Sequence, residues 1–301
     1  IKQFKIMNKK EIIGGLIALV IFGIIFSLVF DMYTKEGKEK TIVELKKTTD
    51  SKNYLDIVIK VVAMDPLSGD MTTRVFISPK GDFIDKYELL KKNIYFYTNS
   101  ASGRQDFLFE KGMQVNPVEI EYNVYGLLTK YPFDEYDSPI IMFSELRKTN
   151  EIVDTTLIDT EVTDDIPISI SFEGSLHGYN FHAESDTTVN KIYSAINVNI
   201  HRSNSTLFFS VFIMIAMWLL SGIVILLVLS VVVRKRKVEL GMMAFISAMI
   251  FALPALRNMQ PLVPSIGTFS DYVSFFWAES FMAISLFVIV LTWLRRPPEK
   301  S

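Results

Sequence analysis

An acidic residue within an otherwise uncharged apolar run has the strongest claim to chemistry in this sequence. Glu279 lies about seven residues into the apolar block 272–294, roughly 10 Å along a helix from its start. An ionised carboxylate there costs on the order of a few kcal/mol unless it is paired, protonated or hydrated. The expected solution is a hydrogen bond between helices, to Ser247, Ser285 or a neighbour; the functional alternative is handling of a proton or cation. Asp134, Glu135 and Asp137 form a second acidic group, directly after Tyr131-Pro132-Phe133. A hard cation takes six or more oxygen ligands at ordered spacing, and no such spacing is present, so these carboxylates are expected to be solvated in a turn. His177 and His182 have no third ligand nearby in sequence. The sequence has no cysteine, no nucleophile elbow and no glycine-rich phosphate loop. No cofactor and no metal are implied, and the chain is not expected to be an enzyme.

The elements that position Glu279 are apolar blocks. Half of the 301 residues are hydrophobic and 21% are charged, a balance more apolar than soluble domains carry. The blocks run over 12–30, 203–233, 240–256 and 272–294, the third containing Pro254. Each is long enough, at about 1.5 Å per residue, to approach a hydrocarbon core of roughly 30 Å. The spacing predicts four transmembrane helices. The first follows Lys9-Lys10 and has no small-residue cleavage site after it, which suggests an uncleaved signal anchor with Met7 as a candidate start. The second exceeds one span, so its first residues are expected to form an interfacial entry.

Basic residues set the orientation. Residues 1–11 carry Lys2, Lys5, Lys9 and Lys10. The loop 234–239 carries Arg234-Lys235-Arg236-Lys237, and the tail 295–301 carries Arg295, Arg296 and Lys300. These three segments are assigned to the cytoplasm. Residues 31–202 and the loop 257–271 then lie outside the cell membrane. The outer stretch holds 28 acidic and 19 basic residues, a net charge of −9. That charge disfavours nucleic acid as a ligand. Arg257 and Asp271 flank the outer loop and are expected to mark the membrane surface, with an ion pair across the loop as the alternative. Tyr33, Tyr272 and Trp293 fall near span ends, as an interfacial belt requires. Trp218 falls deep in a span and is expected to pack against another helix.

Residues 31–50 read as a linker or short helix. Beyond them, alternation of apolar and polar residues predicts strands over 54–62, 72–78, 94–98, 107–110, 118–124, 139–144, 153–158, 166–172, 179–183 and 191–200. Pro66-Leu67-Ser68-Gly69-Asp70, Pro79-Lys80-Gly81-Asp82 and Glu173-Gly174-Ser175 punctuate them as turns. Many short strands at regular spacing point to an antiparallel, immunoglobulin-like β-sandwich over 51–202. Its last strand runs into the second span with only His201 and Arg202 at the junction, so the sandwich must sit close to the bilayer. Phe133 is expected to pack inward or down onto the outer loop and hold the domain on the spans.

The chain resembles a family of integral membrane proteins, the domain-of-unknown-function family numbered 4436. The resemblance rests on an N-terminal anchor, Tyr131-Pro132-Phe133-Asp134-Glu135-Tyr136 in an outer β domain, Arg202-Ser203-Asn204-Ser205-Thr206 leading into Phe212 to Trp218, and the loop from Pro261 to Asp271. It implies no activity. The order of elements is also similar to pentameric ligand-gated channels: a Pro-Phe-Asp loop at 132–134, a strand ending in a basic residue at Arg202, Glu239 at the inner start of a helix and a proline-bearing outer loop. Departures are the N-terminal anchor, the missing fourth channel helix, and a third span whose residues 241–253 offer only Ser247 as a polar side chain, where a pore needs polar rings.

Together these features predict a cell-envelope membrane protein acting as an accessory, assembly or scaffold subunit, with other membrane protein subunits and the lipid bilayer as partners. A pentameric-channel relative and an ion-coupled transporter component using Glu279 are the alternatives. The residues expected to couple the outer domain to the membrane are Tyr131, Pro132, Phe133, Asp134, Arg202, Arg257 and Asp271. Glu279 and Ser247 form the candidate site inside the membrane.

Overall fold

Alternating side chains on successive strands build a two-sheet sandwich, seen in the computed structural model, which describes residues 9–36, 41–46, 52–147, 163–186 and 193–296. The strands are β1 (Thr41–Lys46), β2 (Tyr54–Asp65), β3 (Asp70–Lys80), β4 (Ile94–Ser100), β5 (Gly103–Phe109), β6 (Val118–Asn123), β7 (Tyr125–Gly126), β8 (Glu135–Arg147), β9 (Thr163–Asp165), β10 (Ile168–Gly174), β11 (Tyr179–Asp186) and β12 (Ser194–Arg202). The helices are α1 (Lys9–Glu36), α2 (Asn204–Val232), α3 (Leu240–Asn258) and α4 (Phe276–Arg295).

One sheet has the order β1-β10-β2-β3-β6, and the other has β11-β12-β8-β4-β5 with β7 and β9 added along β8. Inward rows such as Leu55, Ile57, Ile59 and Val61 of β2, Ile168, Ile170 and Phe172 of β10, and Ile196, Val198 and Ile200 of β12 fill the space between them. Phe172 and Phe181 meet across that space with ring centroids 6.2 Å apart. This period-two burial is what a half-buried strand requires.

The sandwich is antiparallel except that β10 lies parallel to β2. That pairing requires β10 to arrive by a crossover from the other sheet rather than by a hairpin. Residues 31–50 are not merely a linker, because α1 extends to Glu36 and β1 pairs antiparallel with β10 at the sheet edge. Helix α2 begins at Asn204, where the Ser203 hydroxyl accepts a hydrogen bond from the Thr206 N–H at 3.3 Å and caps it at once. The strand expected over 153–158 lies outside the described residues.

Among the described residues, three helical stretches are long and apolar enough to cross a membrane: Asn204–Val232, Leu240–Asn258 and Asp271–Arg295. They pack through Met217, Val224, Val228 and Val231 of α2, Ile246 and Leu253 of α3, and Ala278, Met282 and Ile289 of α4. Trp218 joins α2 to the last helix as expected. Its indole N–H donates to the Val273 carbonyl at 3.0 Å and its ring lies against Phe281. At the end of α4, Arg296 donates to the carbonyls of Val231 and Arg236, so the basic turn after α2 and the end of α4 share one end of the bundle. The sandwich, continuous with the start of α2, occupies the other.

Because Phe172 is fully buried between the sheets, Phe172→Ala should cost about 3–5 kcal/mol by removing its contacts and leaving a cavity. Thermal unfolding checks this; a melting temperature equal to that of the unaltered chain would rule out the packed interface.

Candidate functional site

The parity of two strands decides where the charged site forms. The inward row of β12 is Ile196, Val198, Ile200, and its next member is Arg202. The inward row of β8 is Met142, Ile140, Ser138, Tyr136, and one step before it comes Asp134. Ile200 pairs with Tyr136 and His201 with Glu135, so the register brings Arg202 and Asp134 together at the helix-facing end of the sandwich. Arg202 is 2% exposed and Asp134 1%. The guanidinium donates to Asp134 from Nε at 3.0 Å and from Nη2 at 2.7 Å. The Tyr136 hydroxyl donates to the second carboxylate oxygen at 2.5 Å.

Two tyrosine rings flank the pair, Tyr179 at 4.7 Å and Tyr131 at 5.1 Å from the guanidinium carbon. Arg202 Nη1 is buried without a hydrogen-bond partner among the described residues. The electron-rich faces of those rings compensate it in part. Burial would lower the Arg202 pKa, but the bond to Asp134 and the surrounding tyrosines outweigh it and hold the group above its usual value.

Asp134 was expected to be solvated. Its burial is the consequence of standing opposite Arg202, since a guanidinium taken out of water needs a counter-charge. Glu135 and Asp137 do remain exposed, on the outward side of the alternation.

Tyr131 carries the contact onward. Its peptide bond to Pro132 is cis, and its side chain leaves the sandwich. The hydroxyl donates to the Pro261 carbonyl at 2.7 Å and shares a hydrogen bond with Ser210 Oγ of α2 at 2.7 Å. The Tyr131 carbonyl accepts from the Ser270 N–H at 3.2 Å. Phe133 packs down onto the outer loop, edge to face with Phe269 at 5.9 Å. Gly178, just before β11, has φ +84 and accepts from the Ser203 N–H at 2.9 Å. A Cβ there would stand 2.3 Å from Leu262 of the outer loop.

The outer loop is organised by the second ion pair. Arg257 donates to Asp271 from Nε at 2.7 Å and from Nη2 at 2.9 Å. Asp271 Oδ2 also accepts from the Gly267 and Thr268 N–H groups and the Thr268 hydroxyl, at 2.9, 3.0 and 3.0 Å. Arg257 is 4% exposed and Asp271 fully buried, which overturns the reading of the two as separate markers of the membrane surface. The bidentate geometry favours the pair. The loop bonds gather on Oδ2 beside that from Nη2, while Oδ1 accepts from Nε, so both oxygens of the buried carboxylate have donors. Asp271 also starts a π-helical turn, Asp271–Phe275, that leads into α4.

The seven residues expected to couple domain and membrane therefore converge on one junction. The candidate pair inside the bundle does not: Glu279 makes no hydrogen bond to Ser247 or Ser285 among the described residues, and its Oε2 is buried without a partner. Among the described residues no group of three His, Asp or Glu could hold a metal ion. Sequence reasoning missed Tyr136, Gly178, Tyr179 and Ser210. The spacing Ser203, Thr206, Ser210 was a usable signal, since it puts three small polar residues on one helix face. The arrangement ties the sandwich, through Tyr131, to both α2 and the loop between α3 and α4.

Removing Asp134 should leave Arg202 buried without its counter-charge and cost about 3–5 kcal/mol. Asp134→Ala is expected to lower the melting temperature far more than Glu135→Ala, measured in the same membrane mimic. Equal effects would mean that the pair is not buried.

Burial raises the Tyr131 pKa to about 12, against the opposing pull of Ser210 and Arg202. Tyr136 and Tyr179 are raised mainly for the same reason. A group raised above its unfolded value of about 10 contributes stability fully below that pH and loses it as pH climbs through the folded value. The melting temperature should therefore decline between about pH 10 and 12. Tyr131→Phe should lower stability at neutral pH by about 1–2 kcal/mol and make the alkaline decline shallower; an identical alkaline decline would refute this account of Tyr131.

Comparison with known proteins divides the chain at this junction. Residues 202–296 match a domain of unknown function, DUF8686, and residues 45–201 match another, DUF4436. No curated protein matches the chain. With the match running from the end of β1 to one residue short of Arg202, over more than half of the chain, this chain belongs to the DUF4436 family.

Proposed function

We propose that this chain is a non-catalytic membrane subunit, an accessory, assembly or scaffold component of a larger envelope complex. Its outer sandwich and its helix bundle are the two surfaces on which it engages other membrane protein subunits. The observation that carries this reading is the junction. A sandwich tied internally by one buried ion pair, helices tied internally by another, a tyrosine bridge between them and a direct passage from β12 to α2 present the outer surfaces at a set height and angle above the bilayer. A flexible tether would not do so.

The topology belongs to the same proposal. Four helices cross the membrane, with α1 as an uncleaved signal anchor. Both chain ends face the cytoplasm and residues 31–202 lie outside. Support comes from the exposed Arg234-Lys235-Arg236-Lys237 turn and Arg296 at the end of the bundle away from the sandwich, because basic residues are retained on the cytoplasmic side. The sandwich is assigned an immunoglobulin-like character on the strength of its two packed sheets, with the parallel β2–β10 pair as its departure from that pattern.

Purification in mild detergent from the native membrane should bring down a stable second subunit, lost when residues 51–200 are deleted. Recovery of this chain alone would count against the scaffold reading, and a fivefold particle with a central pore would replace it with a channel.

One observation favours a second reading. The buried, unpartnered Glu279 Oε2 is what an ion-coupled component would keep in its membrane domain. In that case Glu279→Gln should abolish proton or sodium uptake by reconstituted vesicles while leaving the partner bound. Uptake equal to that of the unaltered chain would remove this reading.

A further inference from the structure

The outer face of the seven-stranded sheet carries a cleft that has no part in the junction. It forms because β4 and β8 diverge. They pair from Tyr95↔Glu145 to Thr98↔Met142 and no further, while β7 takes up β8 again only at Tyr125↔Asp137 and Gly126↔Tyr136. Asn99 fills part of the gap: its carboxamide oxygen accepts from the Ile141 N–H at 2.8 Å and its NH2 donates to the Pro139 carbonyl at 2.7 Å. The remaining space is about 680 Å³, within the range of small-molecule sites.

The lining decides what could enter. Tyr97 stacks on Phe143 with centroids 5.8 Å apart, and Phe143 meets Tyr193 at 5.6 Å. Tyr125 and Tyr193 stay 58% and 45% exposed at the lip. The charged groups of the lining are engaged by the protein. Arg104 lies 4.4 Å over the Tyr97 ring and is bonded to Asp106 at 2.7 Å. Glu145 accepts from the Tyr97 hydroxyl at 2.7 Å. An anion therefore meets one lining cation, Arg104, already paired with Asp106, and the net charge of residues 31–202 repels it.

An extended peptide finds no main-chain row to pair with, since Asn99 already occupies the Pro139 carbonyl and the Ile141 N–H. The Tyr125 and Tyr193 hydroxyls and the Asn123 carboxamide, by contrast, have no hydrogen-bond partner among the described residues. Flat aromatic faces beside uncharged donors and acceptors match a molecule with an apolar C–H face and a rim of hydroxyls. From these features we infer that the cleft is a binding site for a neutral carbohydrate, one or two sugar rings resting on the Tyr125 and Tyr193 side chains. This goes beyond the scaffold reading and does not depend on it: a subunit can co-purify with its partner whether or not the cleft takes a sugar.

The test uses the full chain in lipid nanodiscs free of sugar-based detergent. The probes are cellotetraose, maltotetraose, mannotetraose and chitotetraose, followed by calorimetry and by saturation transfer from protein to sugar protons. At least one should bind with a Kd in the millimolar range or tighter. Tyr125→Ala and Tyr193→Ala should each weaken it about tenfold, the effect of losing an aromatic platform. Tyr193→Phe, which keeps the ring, should weaken it less. Tyr87→Ala, an exposed tyrosine elsewhere on the domain, should leave the affinity unchanged. Since both lip residues are exposed, the variants should melt with the unaltered chain. The inference is overturned if none of the four sugars binds at about 10 mM, or if a bound sugar is held equally well by the Tyr125 and Tyr193 alanine variants.

Discussion

Arg202 stands at the last inward position of β12, where the alternation of that strand would otherwise bring another apolar side chain. A guanidinium withdrawn from water must find its charge and its hydrogen bonds inside the protein. Asp134, the hydroxyl of Tyr136 that completes the carboxylate, and the faces of Tyr131 and Tyr179 supply them. A well-packed apolar set would be about as stable as such a cluster, so its contribution lies in geometry. The bidentate fork accepts one relative placement of β8 and β12, and that placement sets where α2 leaves the sandwich.

The second ion pair does the corresponding work on the helical side. Arg257 ends α3 and Asp271 opens the turn into α4, so closing them together folds the intervening loop back on itself. The carboxylate gathers the Gly267 and Thr268 amides as well. The loop is thereby given a shape that Tyr131 can meet at Pro261 and Ser270. Between two internally tied bodies, the bridge needs few contacts. It consists of one phenol, one aromatic edge and the close approach of Leu262 to the bare backbone of Gly178.

Much of this was legible before any coordinates, and the reasons differ by element. Apolar runs of span length and period-two strands are local signals, which is why α2, α3, the last helix and most strands fell within a few residues of their expected positions. The convergence of Tyr131, Phe133, Arg202 and Asp271 followed from the short connection between β12 and α2. The burial of Asp134 was missed because its neighbours Glu135 and Asp137 share its chemistry, and only the register with β12 separates the inward residue from the outward ones. The parallel β2–β10 pair was missed because long-range pairing leaves no trace in a local period. Pairing of Arg257 with Asp271 depends on the path of the loop between them, which composition does not encode. At Glu279 the expected hydrogen bond to Ser247 or Ser285 does not form among the described residues, and which helix faces meet is again a long-range matter.

The direct passage from β12 to α2 has a consequence for how such a chain can change in length. Each helical residue advances the direction of a side chain by about 100°. One residue gained or lost between Arg202 and Ser210 would swing Ser210 away from the phenol it meets and turn the remainder of α2 with it. The two matched segments on either side of that seam thus share an angular phase as well as a covalent bond. Length variation should be tolerated in the hairpins at the far end of the sandwich, whereas at the seam it would have to come in steps close to a whole helical turn.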